Sequence, residues 1–126
     1  MADAIESDTR IVFLDNPNNP TGTIYTRSDW QAFLQRVPNT VLIVVDEAYF
    51  EFVDDPAYPN SLDDHTDGRD GRLIVTLRTF SKICGLAGLR VGYGVASPEI
   101  IDALNRIRQP FNVNSLGQVG ALAALD

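Results

Sequence analysis

The stretch LIVTLRTFSKICGLAGLR, residues 73–90, joins an apolar run typical of a strand to a segment of polar and small residues. Lys82 at its centre is the only lysine of the sequence, and the nine other Lys and Arg residues are all arginines. Lysine, unlike arginine, can lose its proton when desolvated and then act as an amine nucleophile. Thr79 and Ser81 flank it and Arg90 follows, which suits a ligand that carries both a carbonyl and a phosphate.

Size and composition favour one domain, or part of a larger one, that contains a hydrophobic core. The chain has 126 residues, of which 44% are hydrophobic. No apolar run approaches membrane-spanning length, and the N-terminus lacks the basic and apolar regions of a signal peptide. The single cysteine, Cys84, excludes an internal disulfide and is typical of a reducing compartment. We therefore expect a cytoplasmic protein.

The charge of the chain argues against nucleic acid as a partner. The formal net charge is −7, whereas a phosphate backbone requires a basic surface. Much of the acidity falls between residues 54 and 71, which we expect to form a long exposed connection that also leaves His65 solvated. One histidine and one cysteine cannot build a metal cluster, and a catalytic triad would need its histidine from this loop. The acidic residues of this segment are Asp54, Asp55, Asp63, Asp64, Asp67 and Asp70.

Strand-like and helix-like patterns alternate along the chain. Such alternation is typical of an α/β layer architecture with a mostly parallel sheet. The helix nearest the N-terminus has a predicted capping box at Ser28–Gln31, and its apolar side chains are expected to lie in the core. The predicted strands are 11–14, 41–45, 72–77 and 91–96, and the predicted helices are 28–36, one that follows Ser97-Pro98, and one from Leu116.

Polar side chains follow three of these strands at the point where each ends. They lie at Asn16 to Thr21, at Asp46 and Tyr49, and at Thr79 to Lys82. Ligands of open parallel sheets bind at the carboxyl ends of the strands, so these groups are expected to converge at one edge. Asp46 follows five apolar residues, so we expect its carboxylate to be half-buried and to face a cation or a donor.

Three motifs carry a resemblance to a known family. NPNNPTG (16–22), DEAY (46–49) and TFSK (79–82), followed by GLR (88–90), resemble the fold-type I pyridoxal-phosphate aminotransferases. Within that family, LAGLR (86–90) and RQPFNVN (108–114) are most similar to the histidinol-phosphate branch. The resemblance covers nearly all of this chain but a minority of a full family subunit.

The resemblance implies a role for each polar residue at the strand ends. Lys82 would bond covalently to the aldehyde of pyridoxal 5′-phosphate and later move the substrate proton, while Asp46 would keep the pyridine nitrogen protonated. Asn19 and Tyr49 would donate to the phenolic oxygen of the cofactor. Arg90 would bind its phosphate.

Further implications concern the phosphate, the backbone and the fold. The hydroxyls of Thr79 and Ser81 would assist at the phosphate, and the Asn19–Pro20 peptide bond is expected to be cis. The fold implied is a three-layer α/β domain with helices on both faces of the sheet and an antiparallel fourth strand. Residues 1–126 would then form part of the large, cofactor-binding domain, without the small domain and the N-terminal part.

The reaction implied is amino transfer between L-histidinol phosphate and 2-oxoglutarate, by a parent protein that is a homodimer. Because the substrate-binding half is absent, we expect the isolated chain to have little or no turnover. Two alternatives stay open. One is a related pyridoxal-phosphate enzyme such as a threonine-phosphate decarboxylase, and the other is a non-catalytic α/β module in which Lys82 contacts an anion.

Overall fold

The computed structural model describes residues 1–66 and 71–126, so the predicted positions Asp67 and Asp70 lie outside the described residues. The predicted strands and helices are present there, with ends shifted by one or two residues. A four-residue helix in the acidic segment was not predicted. The elements are β1 (Ile11–Asp15), α1 (Arg27–Arg36), β2 (Leu42–Asp46), α2 (Asp63–Thr66), β3 (Ile74–Thr79), β4 (Gly92–Ala96), α3 (Pro98–Ile107) and α4 (Ser115–Ala123).

The four strands of the described residues form one sheet in the order β1-β2-β3-β4. β1 pairs with β2 and β2 with β3 in parallel, whereas β4 runs antiparallel to β3. The mostly parallel sheet and its antiparallel fourth strand are thereby confirmed. Asp15 lies opposite Asp46, and Asp46 opposite Leu77, so β1, β2 and β3 end at the same edge.

The core lies between α1 and one face of the sheet. Trp30, Leu34 and Val37 are buried, as predicted, and Phe33 packs against them partly buried. Their partners are apolar side chains that alternate along the parallel strands, because every second residue of a strand points to the same face. The strand residues of this cluster are Leu14, Ile43, Val45 and Ile74.

The opposite face of the sheet carries exposed apolar side chains. On β1, Phe13 is 71% exposed and Ile11 is 49% exposed. Leu77 of β3 lies on the same face and is also exposed. Next to the sheet, α4 packs on the segment before β4. A Cβ added to Gly117 would lie 2.7 Å from Cγ2 of Val91, so glycine permits this approach.

The N-terminus of α1 differs from the prediction. The capping box is formed by Thr26 and Asp29, not by Ser28 and Gln31. The Thr26 hydroxyl accepts from the Asp29 N–H at 3.3 Å, and Oδ2 of Asp29 accepts from the Thr26 N–H at 2.9 Å. Both residue pairs have the required spacing, but Thr26 has the extended backbone that an N-cap needs and Ser28 is already helical.

The acidic segment is less exposed than predicted. Its aspartates at 54, 55, 63 and 64 are exposed, but Tyr58 and Ser61 are buried and α2 lies within the segment. His65 is only partly exposed, and its Nε2 lies 2.9 Å from Oγ1 of Thr76 in β3. Burial lowers the pKa of His65, against a smaller opposing effect of Asp64 and Glu47.

No helix within the described parts of the chain combines the length and the apolar character needed to cross a membrane.

Candidate functional site

A cavity of about 340 Å³ opens at the shared carboxyl edge of β2 and β3. Asp46, Lys82 and Arg90 all line it, although they come from separate places in the chain. Ala48, Leu77 and Ala87 supply apolar surface, and Arg78, Thr79 and Ser81 also line the cavity. The expected convergence of an amine, a carboxylate and a guanidinium is therefore present in the structure.

Lys82 lies in a tight loop that follows β3. The N–H of Gly85 donates to the Lys82 carbonyl at 2.9 Å, and the N–H of Leu86 donates to the carbonyl of buried Phe80 at 3.0 Å. Gly85 has a φ of +67°, a conformation that glycine adopts without strain. The lysine side chain is exposed, with Nζ 5.0 Å from the centroid of the Tyr49 ring.

The environment of Asp46 differs from the prediction, since its side chain is exposed rather than half-buried. Asp46 is the last residue of β2 and its side chain lies at the open edge of the sheet, whereas the next residue, Glu47, is buried. Its Oδ1 accepts from the Ala48 N–H at 3.0 Å. This turn contact fixes the carboxylate of Asp46, which lines the cavity.

Asn19 and Tyr49 form a pair beside this cavity. Nδ2 of Asn19 donates to the Tyr49 hydroxyl at 3.0 Å across 30 positions of sequence. The two residues line a neighbouring cavity of about 480 Å³ rather than the one that holds Asp46 and Arg90. The two cavities are adjacent, because Lys82 of the first lies against the ring of Tyr49 of the second.

The loop that carries Asn19 is held by two other asparagines. Asn16 is buried, and its Oδ1 accepts from the Tyr25 N–H at 3.0 Å while its carbonyl accepts from the Tyr58 hydroxyl. Asn18 accepts from the Thr21 N–H at 3.2 Å. The Asn19–Pro20 peptide bond is cis, as predicted, and Asn16–Pro17 is cis as well.

Arg90 has a left-handed backbone, with a φ of 58°. Its Nη1 donates to the Ala87 carbonyl at 2.8 Å, so part of the guanidinium stabilises its own turn. The Thr79 hydroxyl donates to the Val91 carbonyl at 3.2 Å and accepts from the Ser81 N–H at 3.0 Å. Thr79 therefore shapes the loop between β3 and Lys82 in addition to lining the cavity.

Sequence reasoning missed a buried ion pair behind the cavity. Glu47 and Arg78 lie 2.7 Å apart and both are almost fully buried. Burial raises the pKa of nearby Tyr58, and the charge of Glu47 raises it further. The sequence signal that could have revealed this ion pair is the pair of adjacent carboxylates at the end of β2. Because successive side chains of a strand point to opposite faces, Asp46 and Glu47 cannot both face the cavity, and a buried Glu47 needs a cation as its partner.

The arrangement is suited to a small ligand that is both an aldehyde and an anion. A lysine amine can bond to a carbonyl carbon, a carboxylate can hold a proton on a ring nitrogen, and a guanidinium binds phosphate. A volume of about 340 Å³ lies within the range of small-ligand sites. The residues present therefore fit pyridoxal 5′-phosphate in size and in chemistry.

Comparison with known proteins gives the same family as the three motifs. The sequence model of the family described as aminotransferase class I and II matches residues 1–126. A histidinol-phosphate aminotransferase of Moorella thermoacetica is 60% identical over 125 residues, which are 99% of this chain and 32% of that protein. The chain thus spans about a third of the length of the curated relatives it matches.

Solved structures share the fold over nearly the whole chain. The histidinol-phosphate aminotransferase of Sinorhizobium meliloti in complex with pyridoxal-5′-phosphate has a TM-score of 0.79 and 38% identity, covering 91% of this chain and 30% of that one. The L-threonine-O-3-phosphate decarboxylase of Porphyromonas gingivalis has a TM-score of 0.80 and 26% identity, covering 99% of this chain and 37% of that one.

Proposed function

Because the chain belongs to the aminotransferase class I and II family, we propose that it binds pyridoxal 5′-phosphate in the cavity lined by Asp46, Lys82 and Arg90. The observation that carries this proposal is that these three side chains line one cavity of suitable size. A related protein that is 38% identical binds the same cofactor.

The bound cofactor would supply an aldehyde that takes up amino groups and a ring that accepts electrons. Nζ of Lys82 would hold the cofactor covalently, and once displaced by an amino substrate it would move a proton from the substrate carbon to the cofactor carbon that carried the aldehyde. The carboxylate of Asp46 would keep a proton on the ring nitrogen, which makes the ring a better electron acceptor. Both residues would touch the cofactor and are the proposed catalytic pair.

The other polar residues would orient the cofactor. Nδ2 of Asn19 and the hydroxyl of Tyr49, already 3.0 Å apart, would donate to its phenolic oxygen, and Tyr49 would also act in catalysis by stabilising charge on that oxygen. The Arg90 guanidinium would bind the phosphate as a fork. The hydroxyls of Thr79 and Ser81 would add donors at the phosphate.

For the protein to which this sequence belongs, we propose amino transfer from L-histidinol phosphate to 2-oxoglutarate. Relatives at 51–60% identity carry the histidinol-phosphate aminotransferase name, which supports this choice of substrate. Residues 1–126 would be part of the large domain of a cytoplasmic homodimer. The 126-residue chain alone is expected to turn over little substrate, because it spans about a third of its relatives' length.

Cofactor titration tests the proposal. Adding pyridoxal 5′-phosphate to the purified chain should produce the absorption band of a lysine-bound cofactor, and borohydride should then fix the cofactor to Lys82. Peptide mass spectrometry is unambiguous here because the sequence has one lysine. Lys82→Ala should abolish the band and the adduct.

Lys82→Arg is the matched control, because it keeps the positive charge but cannot bond to the aldehyde. Retention of the band in Lys82→Arg, or attachment of the cofactor at the N-terminal amine alone in the wild-type chain, would contradict the proposal. Uptake without any covalent band would favour the non-catalytic anion-binding module instead.

A second candidate reaction is decarboxylation of threonine phosphate, which the structural likeness to the Porphyromonas gingivalis enzyme supports. Its lower identity of 26% makes it the weaker candidate beside relatives at 51–60%. An assay of the full parent protein separates the two. Glutamate formed from 2-oxoglutarate in the presence of histidinol phosphate indicates transfer, and carbon dioxide released from threonine phosphate indicates decarboxylation.

A further inference from the structure

Glu47 and Arg78 are each adjacent in sequence to a residue that is proposed to bind the cofactor. Glu47 directly follows Asp46 at the end of β2, and Arg78 directly precedes Thr79 at the end of β3. The N–H of Glu47 donates to the Leu77 carbonyl at 2.9 Å, so the pairing of β2 with β3 continues to this point. Both residues therefore lie at the strand ends, each next to a residue that lines the cavity.

Strand alternation directs their side chains to the face of the sheet opposite Asp46, although Arg78 also contributes to the lining of the cavity. Asp46 is exposed, whereas the side chain of Glu47 is 1% exposed and that of Arg78 is 10% exposed. This difference follows from the alternation of side chains between the two faces of a strand. The ion pair thus lies in the layer directly behind the exposed carboxylate of Asp46.

Both side chains of this ion pair make further contacts. Nε and Nη2 of Arg78 donate to Oε2 of Glu47 at 3.0 and 2.7 Å, and Oε1 of Glu47 accepts from the Ser61 N–H at 3.0 Å. Nη2 of Arg78 also donates to Oδ1 of Asn60 at 2.9 Å, and its guanidinium lies 3.7 Å from the centroid of Phe50. These contacts tie both strand ends to the segment that precedes α2.

Stability alone does not explain a buried ion pair here. Desolvation of two charges offsets most of their attraction, so a pair of apolar residues with similar volume often stabilises a fold equally well. What the ion pair adds is a fixed relative position of the two strand ends, because a guanidinium and a carboxylate bond at fixed angles. A small displacement between the ends of β2 and β3 would change the distance between Asp46 and Lys82, to which covalent chemistry is very sensitive.

We propose that Glu47 and Arg78 are positioning residues, which hold the ends of β2 and β3 so that Asp46 and Lys82 reach opposite ends of one cofactor ring. This inference rests on the proposed cofactor function. In this role the charged groups of Glu47 and Arg78 bond to each other and not to the cofactor. They act through the backbone at Asp46 and at the loop that carries Lys82.

The test measures cofactor binding and orientation in chains that are still folded. Glu47→Gln keeps the shape but removes one charge, and it can unfold the chain by leaving Arg78 unpaired. The double variant Glu47→Met with Arg78→Met removes both charges and keeps the volume, so it is expected to fold. Arg36→Met is the matched control, because it breaks an exposed ion pair with Asp3 at the far end of α1.

Affinity is measured by absorbance titration with pyridoxal 5′-phosphate, orientation by the circular dichroism that the bound cofactor acquires, and folding by thermal unfolding. We expect the folded double variant to bind about 10- to 100-fold more weakly, the range found for residues that orient the ligands of metal ions, and to lose most of the cofactor dichroism. The single variant Arg78→Lys keeps the positive charge but should also lack most of the cofactor dichroism, since an ammonium group cannot bond to Glu47 through two N–H groups at fixed angles.

Wild-type affinity and dichroism in the folded double variant would overturn the positioning role and leave the proposed function intact. Loss of cooperative unfolding in both Glu47→Gln and the double variant would also overturn it, because the pair would then hold the fold as a whole. Failure of the wild-type chain and of Arg36→Met to take up the cofactor would instead refute the proposed function.

Discussion

Two adjacent carboxylates at the end of β2 have opposite surroundings. Asp46 is exposed at the edge of the sheet, whereas Glu47 is buried against Arg78. Two neighbouring carboxylates of one sequence motif thus lie in different environments. In the proposed function the exposed carboxylate meets the cofactor, and the buried carboxylate fixes the strand that carries it.

Asp46→Asn tests the proposed contact with the cofactor nitrogen. Loss of the negative charge should weaken binding by about 2 kcal/mol, the usual contribution of a hydrogen bond to a charged group. Absorbance titration with pyridoxal 5′-phosphate measures this change. Asp102→Asn, at an exposed position of α3, is the control, and equal affinity in the two variants would contradict the role of Asp46.

His65 should make stability depend on pH. Burial lowers its pKa below the ordinary value of 6.5, so between the two values the unfolded chain binds more protons than the folded one. The free energy of unfolding should therefore fall as the pH is lowered through this region, with no such loss above it. Urea unfolding of the wild-type chain at a series of pH values measures the effect.

His65→Gln is the comparison for this prediction, since the sequence has no second histidine and glutamine can still bond to Thr76. The variant should show a flatter dependence over the same pH region. An equally steep fall in the variant would assign the effect to other groups.

At the residue scale, the sequence predicted the side chains that face the cavity better than those behind it. The convergence of Lys82 and Asp46 could be predicted because parallel strands bring their carboxyl ends together, and Arg90 could be predicted because it follows Lys82 closely in a motif of the family. The partners of Glu47 and His65 could not, since they lie 31 and 11 positions away in contacts that no local pattern specifies. An acidic run such as 54–66 has the same composition whether it is solvated or packed.

Among the elements, α1 gives a direct test of the corrected N-cap. Thr26→Ala should lower the free energy of unfolding by about 1 kcal/mol, because the Asp29 N–H loses its acceptor. Ser28→Ala should change it by less than about 0.5 kcal/mol, as is usual at an exposed position. Denaturant unfolding of both variants measures the difference, and a larger loss in Ser28→Ala would restore the original prediction.

The elements themselves were largely predictable, while their ends were not. Continuous apolar runs of strand length identified β2 and β3, and the apolar side chains of α1 at helical spacing identified its buried face. The start of α1 was misplaced because Thr26 and Ser28 are equivalent by sequence, and only the backbone conformation distinguishes them.

At the scale of the whole molecule, one sheet face has exposed apolar side chains on β1 and near the end of β3, although Val44 and Val75 between them are buried. Phe13, Ile11 and Leu77 are exposed on it, and β1 is an edge strand of the described sheet. Exposed apolar patches and open strand edges both favour association between molecules. The isolated chain is therefore expected to self-associate as its concentration rises.

Phe13→Thr should reduce this association while keeping a residue that favours strands. Sedimentation velocity over a range of concentrations measures it. Leu125→Thr, which removes a similarly exposed apolar side chain outside the sheet, is the control and should leave the association unchanged. Equal effects of the two substitutions on association would show that the sheet face is not the surface through which the molecules associate.

In the proposed function, one cofactor contacts Asp46, Lys82 and Arg90 at the same time. A crystal structure of the chain grown with pyridoxal 5′-phosphate tests it most directly. We predict density that is continuous between Nζ of Lys82 and the aldehyde carbon, with the ring nitrogen beside Asp46 and the phosphate beside Arg90. Cofactor ordered outside this cavity, or turned so that its phosphate lies against Asp46, would contradict the account.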